Sequence, residues 1–215
     1  MMNRDLQSIR RDYQFDDLLE EQAGNNPLSL FDQWLEAAIE TCPDDPTAMT
    51  LSTVDSDGWP HSRVVLLKQR DDSGFVFFTN YDSEKGQQLA ANNKACMNFF
   101  WPAMSRQIRI EGHIEKVERH VSTEYFATRP RESQLAARTS QQSVIIANRG
   151  ELKSAYDAEV QKFQPTDKIP CPENWGGYLL TPNFIEFWQG RPSRLHDRIC
   201  FVRHQDNWLR KRKAP

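Results

Sequence analysis

Apolar side chains recur with helical spacing directly after Pro27. The stripe consists of Phe31, Trp34, Leu35, Ala38 and Ile39. Residues with this spacing lie on one face of a helix, and proline is favoured in the first helical turn. We therefore expect a helix that starts at Pro27 and packs the stripe into the core.

From Thr47 the pattern changes to short runs of β-branched and apolar residues. The runs are Thr47–Val54, His61–Arg70 and Phe75–Asn80, and clusters of Asp, Ser and Gly separate them. Such clusters between apolar runs are typical of hairpin turns. The pattern predicts three strands of an antiparallel meander.

Helices and strands alternate through the rest of the chain. The expected helices are 82–92, capped by Asp82 or Ser83, 121–137, interrupted at Pro130, and 151–163. The expected strands are 95–101, 107–117, 175–180, 184–189 and 199–203. These elements predict a mainly β fold with peripheral helices, arranged as a small barrel. We expect a single domain over residues 1–215, with residues 1–24 as a mobile segment that contains at most a marginal helix.

Charge is distributed unevenly, although the net charge is only -3. Residues 1–60 carry three basic and thirteen acidic side chains, whereas residues 190–215 carry eight basic and two acidic ones. The net charge argues against bulk binding of nucleic acid. The basic C-terminal segment is compatible with a solvated tail, a nucleic-acid patch or part of an anion site. We expect a tail and no nucleic-acid partner.

The sequence shows no segment for membrane insertion or export. Its apolar runs stay well below the ~18–20 residues of a membrane-spanning helix, and the first thirty residues lack the apolar core of a signal peptide. We expect a cytoplasmic protein with no membrane partner. The four cysteines and five histidines show no metal-ligand spacing, so we expect free thiols and no metal site.

The run from Arg63 to Lys68 is the first of four candidate anion sites. Side chains alternate between the two faces of a strand, so Arg63 and Lys68 would point to opposite faces of an otherwise apolar strand. Two interpretations remain open. Both cations reach solvent beside a core strand, or each binds a different anion.

The second candidate site combines Tyr125, Arg129 and Ser133. Four-residue spacing places Tyr125 beside Arg129 on a helix face, although Pro130 disturbs the helix before Ser133. A phenol, a guanidinium and a hydroxyl together suit a phosphate monoester. The alternative is an ordinary surface arginine with capping residues.

Two further polar clusters lie later in the chain. Residues 141–143 offer uncharged donors before an apolar run, a pattern that is also typical of a turn. The densest cluster follows Glu186–Gly190 and consists of Arg194, His196 and Arg198. On a strand these three would share one face. Their proximity favours a shared anion, and the alternative is a strand salt-bridged through Asp197.

The segment 186–198 and the run Trp175-Gly176-Gly177 resemble the pyridoxine (pyridoxamine) 5′-phosphate oxidase family. The resemblance covers nearly the whole chain, with several long motifs in the family's order. The other motifs are Arg10-Arg11-Asp12-Tyr13, Asp45-Pro46-Thr47-Ala48-Met49, Arg63–Lys68, Phe78-Thr79-Asn80, Tyr125-Phe126, Arg129–Ser133 and Gln142-Ser143. The resemblance implies an FMN-binding split β-barrel that works as a homodimer with FMN at the subunit interface.

The resemblance also implies an activity and a set of site residues. The activity is oxidation of pyridoxamine or pyridoxine 5′-phosphate to pyridoxal 5′-phosphate, with oxygen as acceptor and hydrogen peroxide as by-product. The implied FMN contacts are Arg63, Val64, Val65, Leu66, Leu67, Lys68, Phe78, Thr79, Lys85, Gln107, Gln142, Ser143, Trp188 and Arg198. The implied substrate contacts are Arg10, Arg11, Asp12, Tyr13, Lys68, Tyr125, Arg129, Ser133, Arg194, Leu195 and His196. Arg194 and His196 would be catalytic, and residues 10–13 would close over the substrate as a lid.

Two positions depart from the family pattern. Glu84 stands where a basic residue is usual beside Lys85, and Lys213 stands where an apolar residue usually anchors the tail. We expect the Glu84 carboxylate to turn to solvent and the tail to pack loosely with a modest basic patch. Two other functions remain open: a protein that binds FMN or pyridoxal phosphate with little turnover, and a related reductase with another substrate.

Overall fold

The computed structural model describes Tyr13, residues 17–42 and 44–164, Thr166 and residues 168–215. The expectations for Arg10, Arg11, Asp12 and the marginal N-terminal helix lie outside the described residues. Within the described part, the chain forms six α-helices and nine strands. The mainly β fold with peripheral helices is confirmed.

The helices are α1 (Glu20–Ala23), α2 (Pro27–Thr41), α3 (Glu84–Ala91), α4 (Arg119–Thr128), α5 (Arg131–Thr139) and α6 (Arg149–Phe163). Helix α2 begins where predicted, because the Asn26 side chain accepts a hydrogen bond from the Leu28 N–H and Pro27 needs no such bond. The predicted core stripe is wrong at its end, since Ile39 is 55% exposed. None of the described helices has both the length and the hydropathy needed to cross a bilayer.

The strands are β1 (Ala48–Val54), β2 (Pro60–Leu66), β3 (Gln69–Asp71), β4 (Gly74–Asn80), β5 (Lys94–Trp101), β6 (Arg106–Lys116), β7 (Trp175–Gln189), β8 (Asp197–His204) and β9 (Asn207–Arg212). Their hydrogen-bonded order is β2-β1-β5-β6-β7-β4-β3, with β8 on β7 and β9 on β8. The two predicted neighbour pairings are present, as β1 beside β2 and as the antiparallel pair β3–β4. They lie at opposite ends of the strand order, so the prediction of one continuous meander is wrong.

The predicted strand 61–70 is divided between β2 and β3. The chain changes its pairing partner at this point, because β2 lies beside β1 whereas β3 pairs with β4. The Lys68 N–H already donates to the Val76 carbonyl of β4, with an N···O distance of 2.9 Å. Because β2 ends at Leu66 and β3 begins at Gln69, Lys68 does not follow the alternation of side chains along β2.

The two strands predicted between 175 and 189 form the single strand β7. Strand β4 pairs with Trp175–Leu180 and β8 pairs with Phe184–Gln189. Pro182 lies between the two ladders, so its missing N–H costs no hydrogen bond on this side of β7. Strand β9 was missed because its polar, basic sequence lacks an apolar run.

Contacts group the chain into two compact units. The first comprises Met1–Met49, Met97–Glu111 and Asn183–Pro215, as far as these are described. Aromatic rings fill its core: the Trp34 and Phe187 centroids are 5.2 Å apart, and Phe187 lies 6.0 Å from Phe201. Cys200 is also buried here, and all four cysteines are free thiols, as predicted.

The second unit comprises Thr50–Cys96 and Gly112–Pro182. Part of its core lies beneath helices α4 to α6 and consists of Phe126, Leu135, Phe163, Ile169 and Trp175. Phe78 and Tyr125 pack against this cluster from the side. The core therefore fixes aromatic side chains that belong to the predicted site.

The C-terminal tail is anchored within the first unit, and the expectation of a loose tail is wrong. The Lys213 N–H donates to the Arg198 carbonyl at 2.9 Å, and its ammonium lies 4.7 Å from the centroid of Phe184. Arg212 bonds Glu20 at 2.7 Å and Asp197 at 2.6 Å. These pairs neutralise much of the predicted basic patch.

Candidate functional site

A cavity of about 1080 Å³ opens in the second unit. Strands β2 and β4, the start of α3, and the corner between α4 and α5 supply its walls. Its lining includes these predicted contacts: Arg63, Val64, Val65, Leu66, Lys68, Phe78, Thr79, Lys85, Tyr125, Arg129, Ser133, Gln142 and Ser143. Leu67 instead is only 5% exposed and packs in the core. Because β2 ends at Leu66, Lys68 is not part of that strand, and the prediction that Arg63 and Lys68 lie on opposite faces of one strand is wrong. Both residues line the cavity.

Among the described residues, Arg63 is held by neutral acceptors alone. Its Nη1 donates to Thr53 Oγ1 at 2.6 Å and to the Leu51 carbonyl at 3.3 Å, and its Nη2 donates to Gln88 Oε1 at 3.1 Å. Burial lowers the pKa of Arg63, and the charge of Glu84 opposes this shift. The guanidinium is thus fixed in place, and its charge has no salt-bridge partner in the part of the chain that the structure describes.

Lys85 lies at the start of α3, where Ser83 caps the helix by accepting the Gly86 N–H. Its buried ammonium donates to Gln142 Oε1 at 2.7 Å, Thr79 Oγ1 at 3.2 Å and Ser83 Oγ at 3.3 Å. Burial, and secondly the charge of Arg63, lower the pKa of Lys85 to about 8. A buried cation among neutral acceptors favours an anionic ligand.

Gly86 explains how α3 approaches this site. A Cβ at this position would lie 2.0 Å from the Tyr81 carbonyl oxygen, so a larger residue would displace the first turn of the helix. Lys85 and Gln88 are three residues apart and therefore lie on one helix face, where Gln88 meets Arg63 and Lys85 meets Gln142. Sequence reasoning missed Thr53 and Gln88, although the spacing of Gln88 from Lys85 offered a signal.

Glu84 is exposed, as expected, but it also lines the cavity. Burial lowers the pKa of Arg63 and of Lys85, and the Glu84 carboxylate counteracts the shift at both groups. The side chain is therefore close enough to reduce the positive potential of this end of the cavity. Solvent screening limits the size of that effect.

A second cationic group lies at the corner between α4 and α5. Arg129 has extended backbone angles (φ -70°, ψ 148°) because Pro130 follows it and disfavours the helical conformation. The guanidinium lies 4.7 Å from the centroid of Trp175. Its Nη1 atom is buried without a hydrogen-bond partner among the described residues. A buried, unpaired guanidinium nitrogen is costly unless a ligand accepts its protons.

Stacked aromatic rings form the wall beside Arg129. The Phe78 ring lies 4.0 Å from Tyr125 and 5.5 Å from Trp175, both in stacked orientation. Phe78 is opposite Gly177 in the β4–β7 register, and a Cβ at Gly177 would lie 2.9 Å from the Phe78 ring. The glycine thus allows the stack to form, and the stack presents the Tyr125 hydroxyl beside Arg129.

The remaining described site residues belong to the first unit. Trp188 and His196 lie 4.7 Å apart between ring centroids, and Tyr13 contacts both rings edge-on at 5.8 and 5.3 Å. Arg194 ends a short 3₁₀ turn with a φ of 62°. The prediction that Arg194, His196 and Arg198 share a strand face is wrong, because β8 starts only at Asp197. Leu195 is exposed and Gln107 is half-buried on β6.

The hydrogen bonding of His196 determines its tautomer. The Arg191 N–H donates to His196 Nδ1 at 3.0 Å, so Nδ1 is an acceptor and the proton of the neutral ring lies on Nε2. Burial, together with the charge of Arg194, lowers the pKa of His196. His196 is therefore a neutral ring that offers an Nε2–H donor.

Comparison with known proteins identifies the family. A family model described as "Pyridoxamine 5′-phosphate oxidase" matches residues 35–161, and one described as "Pyridoxine 5′-phosphate oxidase C-terminal dimerisation region" matches residues 175–215. This chain belongs to the pyridoxamine 5′-phosphate oxidase family. Relatives named pyridoxine/pyridoxamine 5′-phosphate oxidase from Pseudomonas paraeruginosa and Pseudomonas putida are 54% and 52% identical, each over 100% of both chains.

Solved structures extend the comparison to the fold. PhzG from Burkholderia lata, solved with tetrahydrophenazine-1-carboxylic acid, is 27% identical with a TM-score of 0.87 over 94% of this chain and 99% of its own. A pyridoxamine 5′-phosphate oxidase-related, FMN binding protein from Nostoc punctiforme is 15% identical with a TM-score of 0.69, over 88% and 98% of the two chains. The predicted split-barrel fold of the pyridoxamine 5′-phosphate oxidase family is confirmed.

Proposed function

We propose that the protein oxidises pyridoxamine or pyridoxine 5′-phosphate to pyridoxal 5′-phosphate in the biosynthesis and salvage of vitamin B6. Oxygen is the electron acceptor and hydrogen peroxide the by-product, so that pyridoxine 5′-phosphate and O₂ yield pyridoxal 5′-phosphate and H₂O₂. One observation carries the proposal above all. A single cavity contains two cationic groups that lack salt-bridge partners among the described residues, Arg63 with Lys85 and Tyr125 with Arg129.

FMN is the cofactor. Its phosphate fits the first cationic group, because the buried Lys85 ammonium and the Arg63 guanidinium contact only neutral acceptors among the described residues. Gln142 and Ser143 add neutral donors, and Val64 to Leu66, Phe78 and Thr79 would lie along the flavin. Gln107, Trp188 and Arg198 would complete its binding site. When bound, FMN takes up the two electrons that substrate oxidation releases and passes them to oxygen.

The substrate phosphate fits the second cationic group. Arg129 Nη1 is buried and unpaired, and a phosphate oxygen would satisfy it. The Tyr125 and Ser133 hydroxyls are on the same cavity wall, and the exposed Lys68 ammonium adds a charge at the rim. These residues would select phosphorylated vitamers and hold the ring in a fixed orientation.

His196 would contact the substrate as a hydrogen-bond donor. Its Nδ1 already accepts the Arg191 N–H, so the neutral ring has no free nitrogen with which to remove a proton. We assign it to an Nε2–H bond with a substrate oxygen, and Arg194 to a charged contact with the ring. Leu195 and residues 10–13 would enclose the substrate, and Tyr13 lies against His196. The active form would be a cytoplasmic homodimer with FMN at the interface.

The decisive experiment combines a spectrum with a peroxide assay. The purified protein should show the visible absorption of oxidised flavin and release peroxide when pyridoxamine 5′-phosphate and oxygen are supplied. Unphosphorylated pyridoxamine is the matched control and should react far more slowly. A yellow protein without peroxide release would favour the alternative of a binding protein with little turnover. A protein that takes up no FMN would contradict the proposal.

FMN affinity is expected to depend on the protonation of Lys85. The pKa of Lys85 is lowered to about 8 in the free protein, and a bound phosphate dianion would raise it. Binding is therefore strongest below about pH 8 and weakens as the pH rises through that value. Below about pH 6 it weakens again, because the phosphate gains a proton.

Quenching of flavin fluorescence by the apoprotein measures this profile. Lys85→Arg is the matched control, since a guanidinium keeps its charge and should flatten the alkaline limb. Equal alkaline limbs in the two proteins would show that another group causes the decline.

Glu84 is expected to weaken FMN binding moderately. Its exposed carboxylate faces the same end of the cavity as Arg63 and Lys85, so Glu84→Gln should lower the FMN Kd about fivefold at low ionic strength. Asp82→Asn removes an equal charge near the start of α3 from a residue outside the cavity lining, and should change the Kd less than twofold. Equal effects of both substitutions would mean that only the overall charge matters.

A further inference from the structure

A buried carboxylate occupies the first unit where β7 and β8 pair. Glu186 has a side chain that is 3% exposed and lies on the same strand as Trp188, two residues away. Four donors reach its two oxygens: Arg198 at 3.0 Å, Arg109 at 3.3 Å, Lys213 at 3.4 Å and the Cys200 thiol at 3.5 Å. Although burial acts in the opposite direction, the hydrogen bond from Arg198 and the charge of Arg109 lower the pKa of Glu186.

Arg198 is the most constrained of these partners. Its Nε and Nη2 both donate to Glu186, at 3.3 Å and 3.0 Å, and its Nη1 donates to the Ala214 carbonyl at 3.1 Å. The Arg198 carbonyl accepts the Lys213 N–H at 2.9 Å. The guanidinium is therefore held between a buried carboxylate and the C-terminal tail.

The donor inventory shows what remains for a ligand. A guanidinium has five N–H groups, two of them on Nη1. The Nε and Nη2 atoms of Arg198 face Glu186, and Nη2 lies 3.0 Å and 3.1 Å from its two oxygens. Among the described residues Nη1 donates to the Ala214 carbonyl alone, so one of its two N–H groups is left for a ligand, and the strand register pairs Arg198 with Trp188. Glu186 thus dictates which edge of the guanidinium is available beside the Trp188 ring.

We propose that Glu186, with Lys213 and Ala214 of the C-terminal tail, is a positioning residue of the flavin site that acts through Arg198. The inference rests on the proposed function, in which Arg198 contacts FMN. In this proposal Lys213 and Ala214 contribute to cofactor binding by holding Arg198 in place. Glu186 also compensates the mutual repulsion of Arg109, Arg198 and Lys213, three partly exposed cations that converge on its buried carboxylate.

A double-mutant cycle on FMN binding tests the proposal. Glu186→Gln should raise the FMN Kd about tenfold. The Kd is measured by titrating the apoprotein with FMN and following the quenching of flavin fluorescence. The matched control is Glu111→Gln, because Glu111 pairs with Arg109 but has no contact with Arg198. It should change the Kd less than twofold. In an Arg198→Met background, Glu186→Gln should also change the Kd less than twofold, because the group through which it acts is gone.

Two results would overturn the inference. One is a Glu186→Gln effect that persists undiminished in the Arg198→Met background, which would indicate an effect on the fold. The other is an unchanged Kd in the single variant. Removal of Ala214 and Pro215 provides a second route that leaves the buried carboxylate intact, and should raise the Kd at least threefold. Failure of the wild-type protein to bind any FMN would instead contradict the proposed function itself.

Discussion

Replacing Arg129 with Met is expected to raise the KM for pyridoxamine 5′-phosphate by about two orders of magnitude, with less than a tenfold change in kcat. The substitution keeps an unbranched side chain over Trp175 but removes a half-buried guanidinium whose buried Nη1 has no hydrogen-bond partner among the described residues. Hydrogen bonds to charged groups contribute about 1.5–3 kcal/mol each, and a hundredfold change corresponds to about 2.7 kcal/mol. Steady-state peroxide release over a range of substrate concentrations measures both constants.

The chain offers a close control for this substitution. Arg138 lies on α5 and stacks on Phe163 at 4.8 Å as Arg129 stacks on Trp175, but it pairs with Glu159 and is absent from the cavity lining. Arg138→Met should leave the KM within threefold. With unphosphorylated pyridoxamine, Arg129→Met should have little effect. A similar loss with both substrates would show that Arg129 supports the fold rather than the phosphate.

Replacing Arg63 with Met is expected to raise the FMN Kd about a hundredfold. Four neutral oxygens hold the guanidinium, including the His61 carbonyl at 3.2 Å, and none of them can replace its charge. Of the four, only the Thr53 hydroxyl could donate to a phosphate. Lys85 would then be the remaining buried cation at this end of the cavity, among the described residues. Titration of apoprotein with FMN measures the loss.

Lys116→Met is the matched control, because it also removes one positive charge from the second unit. Lys116 lies over the Tyr81 ring at 4.2 Å and does not line the cavity, so the FMN Kd should stay within twofold. The Arg63→Met protein should also show a weaker dependence of Kd on salt, because fewer charges face the phosphate. A Kd within threefold of the wild type would place the cofactor phosphate elsewhere.

Several parts of the site follow from local patterns alone. The sequence predicts α3 with a cap at Asp82 or Ser83, a helix break at Pro130, and the proximity of Tyr125 and Arg129. In the structure Ser83 is the cap, α4 ends before Pro130, and Tyr125 lies near Arg129. These features depend on residues within one or two helical turns, where capping and the geometry before proline dominate. The resemblance of the motifs then identified the family and the candidate contacts.

Other parts required the tertiary structure because they depend on distant partners. The division of strand 61–70 follows from a change of neighbour, from β1 to β4, and this places Lys68 in the same cavity as Arg63. The alternation of side chains along a single strand had predicted that Arg63 and Lys68 lie on opposite faces. The neutral state of His196 likewise depends on the backbone at Arg191, whose position a loop conformation sets.

What the sequence by itself determined is helices α2 to α6, the mainly β class, the family and the residue types available for two phosphates. Only the tertiary structure decided that Gln88 holds Arg63, that Arg129 keeps a nitrogen with no hydrogen-bond partner among the described residues, and that the tail contacts Arg198. The physical reason is the range of the interactions. Helix caps and hydrophobic periodicity are local, whereas strand pairing and the compensation of buried charges join residues far apart in the chain.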